Sequence, residues 1–296
     1  METKEKLIML YLHICHSANI INWLASHRMS NNNNPEFTDE EIMTIYLFGI
    51  EQKMREAKQI HQHIKDHWMD WFPKLPSYQA FNNRLNLLSP VFELLINSII
   101  EDAHIQRCFY DISVLDSMPI IVAKNSRSSS AHTAREICTK GYCSSKDMYY
   151  YGLKLHLVGH KQIKKLPFPE YIWVTPAKEN DLTAARPVLE KITNRFVVGD
   201  KAYADQPLNK ETMKNQNTEI ITPIKKKKKQ EYRDAADELY NTAVSRIRQP
   251  IESFFNWLNE KTGIQNAAKV RSTKGLMVHV MARMVTALLI LTLFNP

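Results

Sequence analysis

Apolar residues recur at helical spacing through the first third of the chain. Over residues 4 to about 28, Leu7, Leu10, Tyr11, Ile14, Ile20, Ile21 and Leu24 form one broad face, and the spacing predicts a helix. Asn31 to Asn34 and then Pro35 end it. Thr38-Asp-Glu-Glu41 ahead of an apolar run is a capping box, which predicts a helix from about 39 to 52. Residues 55 to 72 keep the helical pattern and are rich in His61, His63, His67, Trp68 and Trp71. No set of carboxylates accompanies these histidines, so a solvated or interface helix is expected rather than a metal site. Ser77 caps Tyr78 to Leu87, which buries Phe81 and Leu85 and presents Asn82, Asn83 and Arg84; two such helices also suit a helix-turn-helix reader of DNA. Ser89-Pro90 opens another amphipathic helix through Ile99 and Ile100. A boundary is expected near residue 105, with residues 1–105 all helical.

Beyond it the period changes to two. Tyr110, Ile112, Val114 and Asp116 share one face of a strand that Pro119 should break, with Ile120 to Ala123 continuing as an edge. Lys124 to Lys146 is polar, Ser-rich and basic and reads as a mobile loop, in which Lys124, Arg127, Arg135 and Lys140 are DNA-contact candidates on charge alone. Met148 to Gly159 is the clearest strand, with Lys154 and His156 on one face and Leu153, Leu155 and Leu157 on the other. Tyr171 to Thr175 is a further strand. Asn180 and Asp181 can cap a helix through Leu189, with Pro187 restricting where its regular part begins. Phe196 to Val198 is a short strand, residues 206 to 216 a helix, and Thr218 to Pro223 a strand. Ile247, Ile251, Phe254, Phe255 and Leu258 mark a helix that packs on the sheet. Strands alternating with helices after an all-helical start give an α/β class with a mixed sheet.

Leu276 to Phe294 is apolar enough to suggest a membrane span, but His279 and Arg283 lie near its middle, and a central Arg costs about 2.5 to 3.5 kcal/mol on insertion. A buried terminal helix with one polar stripe is expected, and no membrane association. No signal peptide is read at the start. The chain has 296 residues, long enough for two domains, and 39 Lys plus Arg against 31 Asp plus Glu give +8, which favours polyanionic partners. Cys15, Cys108, Cys138 and Cys143 form no dense framework; free thiols in a soluble, cytoplasmic protein are expected, and Cys138, Cys143 and His132 lack the spacing and fourth ligand of a zinc site.

The candidate chemistry is carboxylate chemistry. Gly199-Asp200 follows the short strand, so a buried strand delivers one carboxylate to its C-terminal end, where open α/β sheets place their sites. Asp116 ends the earlier strand. Glu252 sits beside the apolar stripe of its helix, on a polar flank with Asn256 and Asn259. Three carboxylates in one low-dielectric cleft repel unless cations compensate them. Hard Mg²⁺ or Mn²⁺ suits them, and a pair of such ions about 3.5 to 4 Å apart clamps the oxygens of a phosphoryl transfer. On spacing alone, local caps and salt bridges account for the acids equally well.

Five blocks add to this: Leu115-Asp-Ser-Met-Pro-Ile120, Tyr150-Tyr-Gly-Leu-Lys-Leu-His-Leu-Val158, Val174-Thr-Pro-Ala-Lys-Glu-Asn-Asp-Leu182, Val198-Gly-Asp-Lys-Ala-Tyr203 and Arg248-Gln-Pro-Ile-Glu-Ser-Phe254. In this order they resemble the DDE transposases of bacterial insertion sequences, most closely the insertion-sequence 982 family. The resemblance implies an RNase H-like catalytic domain over residues 106–296, with the acidic triad on Asp116, Asp200 and Glu252 holding two Mg²⁺ ions, or Mn²⁺. It implies binding of an element's terminal inverted repeats, cleavage there and strand transfer into target DNA, by a nucleoid-associated homodimer or larger assembly. Lys154, His156 and Lys201 lie inside the blocks and are candidate DNA contacts. So, on charge and position, are Lys225, Lys226, Lys227, Lys228 and Lys229 and then Arg246 and Arg248. A related branch carries Tyr, Arg and Lys around the last acid; here Ser245 and Asn259 replace the Tyr and Lys, and Arg248 alone fits. The alternatives are an RNase H-like nuclease or resolvase without strand transfer, and an inactive DNA-binding regulator.

Overall fold

The computed structural model describes residues 2–20, 35–106, 111–226 and 234–294. In chain order the helices are α1 (Thr3–Ile20), α2 (Asp39–Glu51), α3 (Ala57–His67), α4 (Tyr78–Leu87), α5 (Ser89–Gln106), α6 (Asp181–Leu189), α7 (Gln206–Gln216), α8 (Ala235–Thr262) and α9 (Thr273–Leu289). The strands are β1 (Ile112–Lys124), β2 (Thr139–Cys143), β3 (Met148–His160), β4 (Phe168–Pro176), β5 (Arg195–Val198) and β6 (Thr218–Ile221). By packing, the chain divides into two compact units, one of Met1–Gln106 with Leu258–Pro296 and the other Arg107–Trp257. Residues 258–296 group by packing with the N-terminal helices, because α9 packs on α5, α2 and α4.

In the helical unit the caps set the helix starts. The Thr38 Oγ1 accepts from the Glu41 amide and the Glu41 carboxylate accepts from the Thr38 amide, so both halves of the capping box form and α2 starts where expected. Ser77 likewise accepts from the Ala80 amide at the start of α4. Of the polar face expected on α4, Arg84 turns back and pairs with Asp39 in the first turn of α2, its Nε 2.8 Å from the carboxylate. The apolar C-terminal stretch is the one helix among the described residues long and apolar enough to cross a membrane, and it is mostly buried within its own unit. Arg283 is 1% exposed there. Its guanidinium donates to the Thr262 carbonyl (3.1 Å), the Tyr46 hydroxyl (3.1 Å), the His279 carbonyl (3.1 Å) and the Arg55 carbonyl (2.8 Å). A buried charge is tolerated only when its hydrogen bonds are made, and neutral oxygens make these.

The second unit is built on one mixed sheet. β1 pairs antiparallel with β3 and parallel with β5, and β5 pairs parallel with β6. The other edge of β3 takes β2 over Met148–Gly152 and β4 over Leu153–His160, both antiparallel. Leu115, Val158, Val197 and Ile220 of the sheet pack with Ala185, Leu189, Ile192, Tyr203 and Leu208 to form the core under α6 and α7. Two expectations are corrected. Pro119 does not end β1, which runs to Lys124; β5 pairs only with Ile112–Val114, so beyond Val114 no strand among the described residues pairs with that edge of β1 and the missing proline N–H breaks no rung there. Residues 124–146 are not one loop but a 3₁₀ turn at Asn125–Ser129 and then β2. The helix that carries Ile251 and Phe254, α8, begins at Ala235 and passes through Pro250. The expected positions Tyr110, Cys108 and Leu24 lie outside the described residues.

Candidate active site

The parallel register of β1 and β5 explains why two acids meet. Its last rung pairs Val114 with Val198, and each carboxylate stands two residues further along its own chain, at Asp116 and Asp200. The period of two therefore sends both to the same face of the sheet. β5 stops there while β1 continues with no strand among the described residues on that edge, which leaves room for both side chains. Gly199 supplies the tight exit: a Cβ would come within 3.0 Å of the Tyr203 ring that packs against it.

Each acid is pinned at one oxygen. The Asp116 Oδ1 accepts from the Ser117 amide at 2.8 Å, and the Asp200 Oδ1 accepts from the Ala202 amide at 3.0 Å, capping the short 3₁₀ turn at Lys201–Tyr203. The capping role and the site role of Asp200 thus use different oxygens. The third acid comes on α8, where Ile251, Phe254, Phe255 and Leu258 are buried and Glu252 is exposed among them. One turn earlier on that helix is Arg248, and its guanidinium collects all three. It hydrogen-bonds Glu252, lies 3.9 Å from the Asp116 Oδ2 and 3.7 Å from the Asp200 Oδ2.

Burial pushes the Asp116 carboxyl up to about 6, with Asp200 and Glu252 adding to the rise and Arg248 and the Ser117 amide opposing it. Burial works against the Arg248 charge, but the three acids outweigh it and hold the guanidinium above its ordinary value. A site that places three carboxylates around one positive group fits a cation. The donors are all hard oxygens, the set that suits Mg²⁺ or Mn²⁺, and the guanidinium marks where the positive charge is wanted.

The other expected residues separate. His156 is fully buried, hydrogen-bonded to the Thr175 hydroxyl (2.7 Å) and stacked on Trp173, and burial lowers it to about 4. It is a neutral core side chain and presents no cation to a phosphate, contrary to expectation. Alternation fixed its face but not that α6 and its neighbours would cover that face. Lys154 donates to the Asp181 carboxylate (3.0 Å) and the Glu179 carbonyl (2.7 Å). Lys201, Lys225, Lys226 and Arg246 are exposed, and Lys227, Lys228 and Lys229 lie outside the described residues. Cys138 and Cys143 are buried free thiols. Asn180 caps α6, and Asp181 accepts from Lys154 and from the Ser117 hydroxyl (3.2 Å), on the sheet face opposite Asp116.

The profile of the family described as "Transposase DDE domain" matches residues 107–291. No curated protein and no solved structure matches the chain.

Proposed function

Because the chain belongs to the DDE transposase family, we propose that it is the transposase of an insertion sequence, of the insertion-sequence 982 group, which cuts DNA at the element's ends and joins them to a target. One observation carries the reading: carboxylates from β1, from the exit of β5 and from α8 converge on a single guanidinium. The order of the sheet, with β4, β3 and β1 antiparallel and β5 and β6 then parallel to β1, supports an RNase H-like core.

Asp116, Asp200 and Glu252 would hold two divalent ions, Mg²⁺ or Mn²⁺. Bound ions of this kind supply the positive charge that stabilises the attacking and leaving oxygens of an in-line displacement at phosphorus. The chain's own contribution is position. The Ser117 and Ala202 amides fix two of the acids, and the buried stripe of α8 fixes the backbone of the third while its carboxylate stays reachable from solvent. Water attack on the phosphodiester at the element's end forms one P–O bond and breaks the bond to the 3′ oxygen, whose hydroxyl then attacks a target phosphodiester in the same way. Arg248, two-pronged and always charged, suits a phosphate once the acids have another cation. Lys201, Lys225, Lys226, Arg246 and the adjoining lysines would bind the backbone of the DNA.

The test is cleavage and joining of a DNA fragment carrying the element's inverted repeats, in Mg²⁺ and in chelator. Asp116→Asn, Asp200→Asn and Glu252→Gln should each abolish both reactions while end binding persists. A variant that still cuts normally removes its residue from the triad, and cutting without joining turns the reading to a nuclease.

A further inference from the structure

The β2–β3 hairpin has one face that packs and one that buries Tyr151 but leaves the rings nearer its tip exposed. Cys143 and Tyr150 bury against Ile121 and Ala177, with Met148 beside them. Gly141 is pressed so close that a Cβ would lie 2.4 Å from the Ala177 carbonyl oxygen, and the Lys178 amide donates to the Thr139 hydroxyl at 2.9 Å. The hairpin is therefore fixed to the sheet. Its outward face carries Lys140, Tyr142 and Tyr149, where alternation on a solvated sheet calls for polar side chains. Tyr142 and Tyr149 are directly opposed, with ring centroids 5.1 Å apart, and are 49% and 55% exposed. Lys140 sits 4.9 Å over the Tyr149 ring and donates to the Ser129 hydroxyl (2.9 Å), while the Tyr142 hydroxyl donates to Asp147. Each ring is thus held in place by a polar partner. Around them residues 124–147 carry Lys124, Arg127, Arg135, Lys140 and Lys146 against only Glu136 and Asp147.

Two oriented rings on a rigid edge in a basic surround are the ingredients of a single-strand site: bases stack on aromatic faces whatever their identity, and cations follow the phosphates. We propose that this hairpin is a stacking platform for unpaired bases of a DNA strand, an inference that rests on the reading of the chain as an enzyme acting on DNA. Tyr149 lies eight residues along β3 from Leu157, the register partner of Asp116. At strand rise that is about 26 Å, or about eight nucleotide steps from the acids.

The test uses the full chain and a fluorescein-labelled single-stranded thymidine oligomer, read by anisotropy, with metal-dependent nicking of duplex plasmid and sedimentation measured in parallel. Tyr142→Ala with Tyr149→Ala should weaken oligomer binding by about tenfold or more, while Tyr142→Phe with Tyr149→Phe stays within about twofold. Nicking should persist in both. Unchanged oligomer affinity in the alanine pair overturns the platform, as does equal loss in the phenylalanine pair. A fall in sedimentation with affinity unchanged overturns it in favour of a protein interface. Absence of nicking by the unaltered chain, by contrast, counts against the transposase reading and leaves the oligomer comparison to judge the platform separately.

Discussion

Replacing Arg248 tests the electrostatics of the acid cluster directly. Arg248→Ala removes the cation that, among the described residues, pairs with Asp116, Asp200 and Glu252 together. Unit charges about 4 Å apart interact by about 4 kcal/mol at an effective dielectric of 20. That gross figure must be discounted, because the Asp200 and Glu252 side chains are 43% and 54% exposed, whereas Asp116 is only 19% exposed. A net loss of about 2 kcal/mol follows, most of it from Asp116, which lowers the melting temperature by about 4–8 °C. The assay is thermal unfolding at pH 8 in chelator and across a Mn²⁺ titration. In chelator the variant should melt lower than the unaltered chain. Saturating Mn²⁺ should raise the variant more and close most of the gap, since the ion takes over the guanidinium's electrostatic role. Arg248→Lys, with charge but without two-pronged reach, should fall between them. An alanine variant as stable in chelator as the unaltered chain, or an equal Mn²⁺ response in both, would refute the reasoning.

The remaining predictions concern the fold that carries the site. His156 is held at about 4 by burial against an ordinary 6.5, so the unfolded chain binds the extra proton between those values; this contribution to stability is complete above pH 6.5 and is lost as pH falls through 4. It amounts to about 3 kcal/mol, and urea midpoints across that window should fall less steeply for His156→Gln than for the unaltered chain. Arg283→Met strips four hydrogen-bonded oxygens of their shared donor and should destabilise the helical unit by about 3 kcal/mol in calorimetry. Thr38→Ala removes half the capping box and should cost about 1 kcal/mol by urea titration; a loss below a few tenths would show that the cap is idle.

Local rules made much of this legible in the sequence. Thr38, Ser77 and Asn180 set helix starts because a cap needs only a side-chain oxygen and an amide three residues away. The face of Asp116 and the strand exit at Asp200 followed from alternation and from Gly199. What stayed hidden was non-local. Nothing in the residues announces that Val114 faces Val198, the rung from which both acids project, or that a guanidinium one turn before Glu252 reaches across to them. β2 gives no strand signal because its outward residues are polar or aromatic and its inward ones are Gly141 and Cys143, too small to give an apolar period. Residues 258–296 followed the catalytic segment in sequence, yet their apolar face packs on the N-terminal helices.

The central claim is that three acids distant in sequence make one cation site. An anomalous-difference map from crystals grown with a DNA end and Mn²⁺ tests it most directly. Density among the carboxylates of Asp116, Asp200 and Glu252, with the Arg248 guanidinium moved from between them, is the predicted result; Mn²⁺ bound elsewhere while Arg248 keeps all three contacts would contradict it.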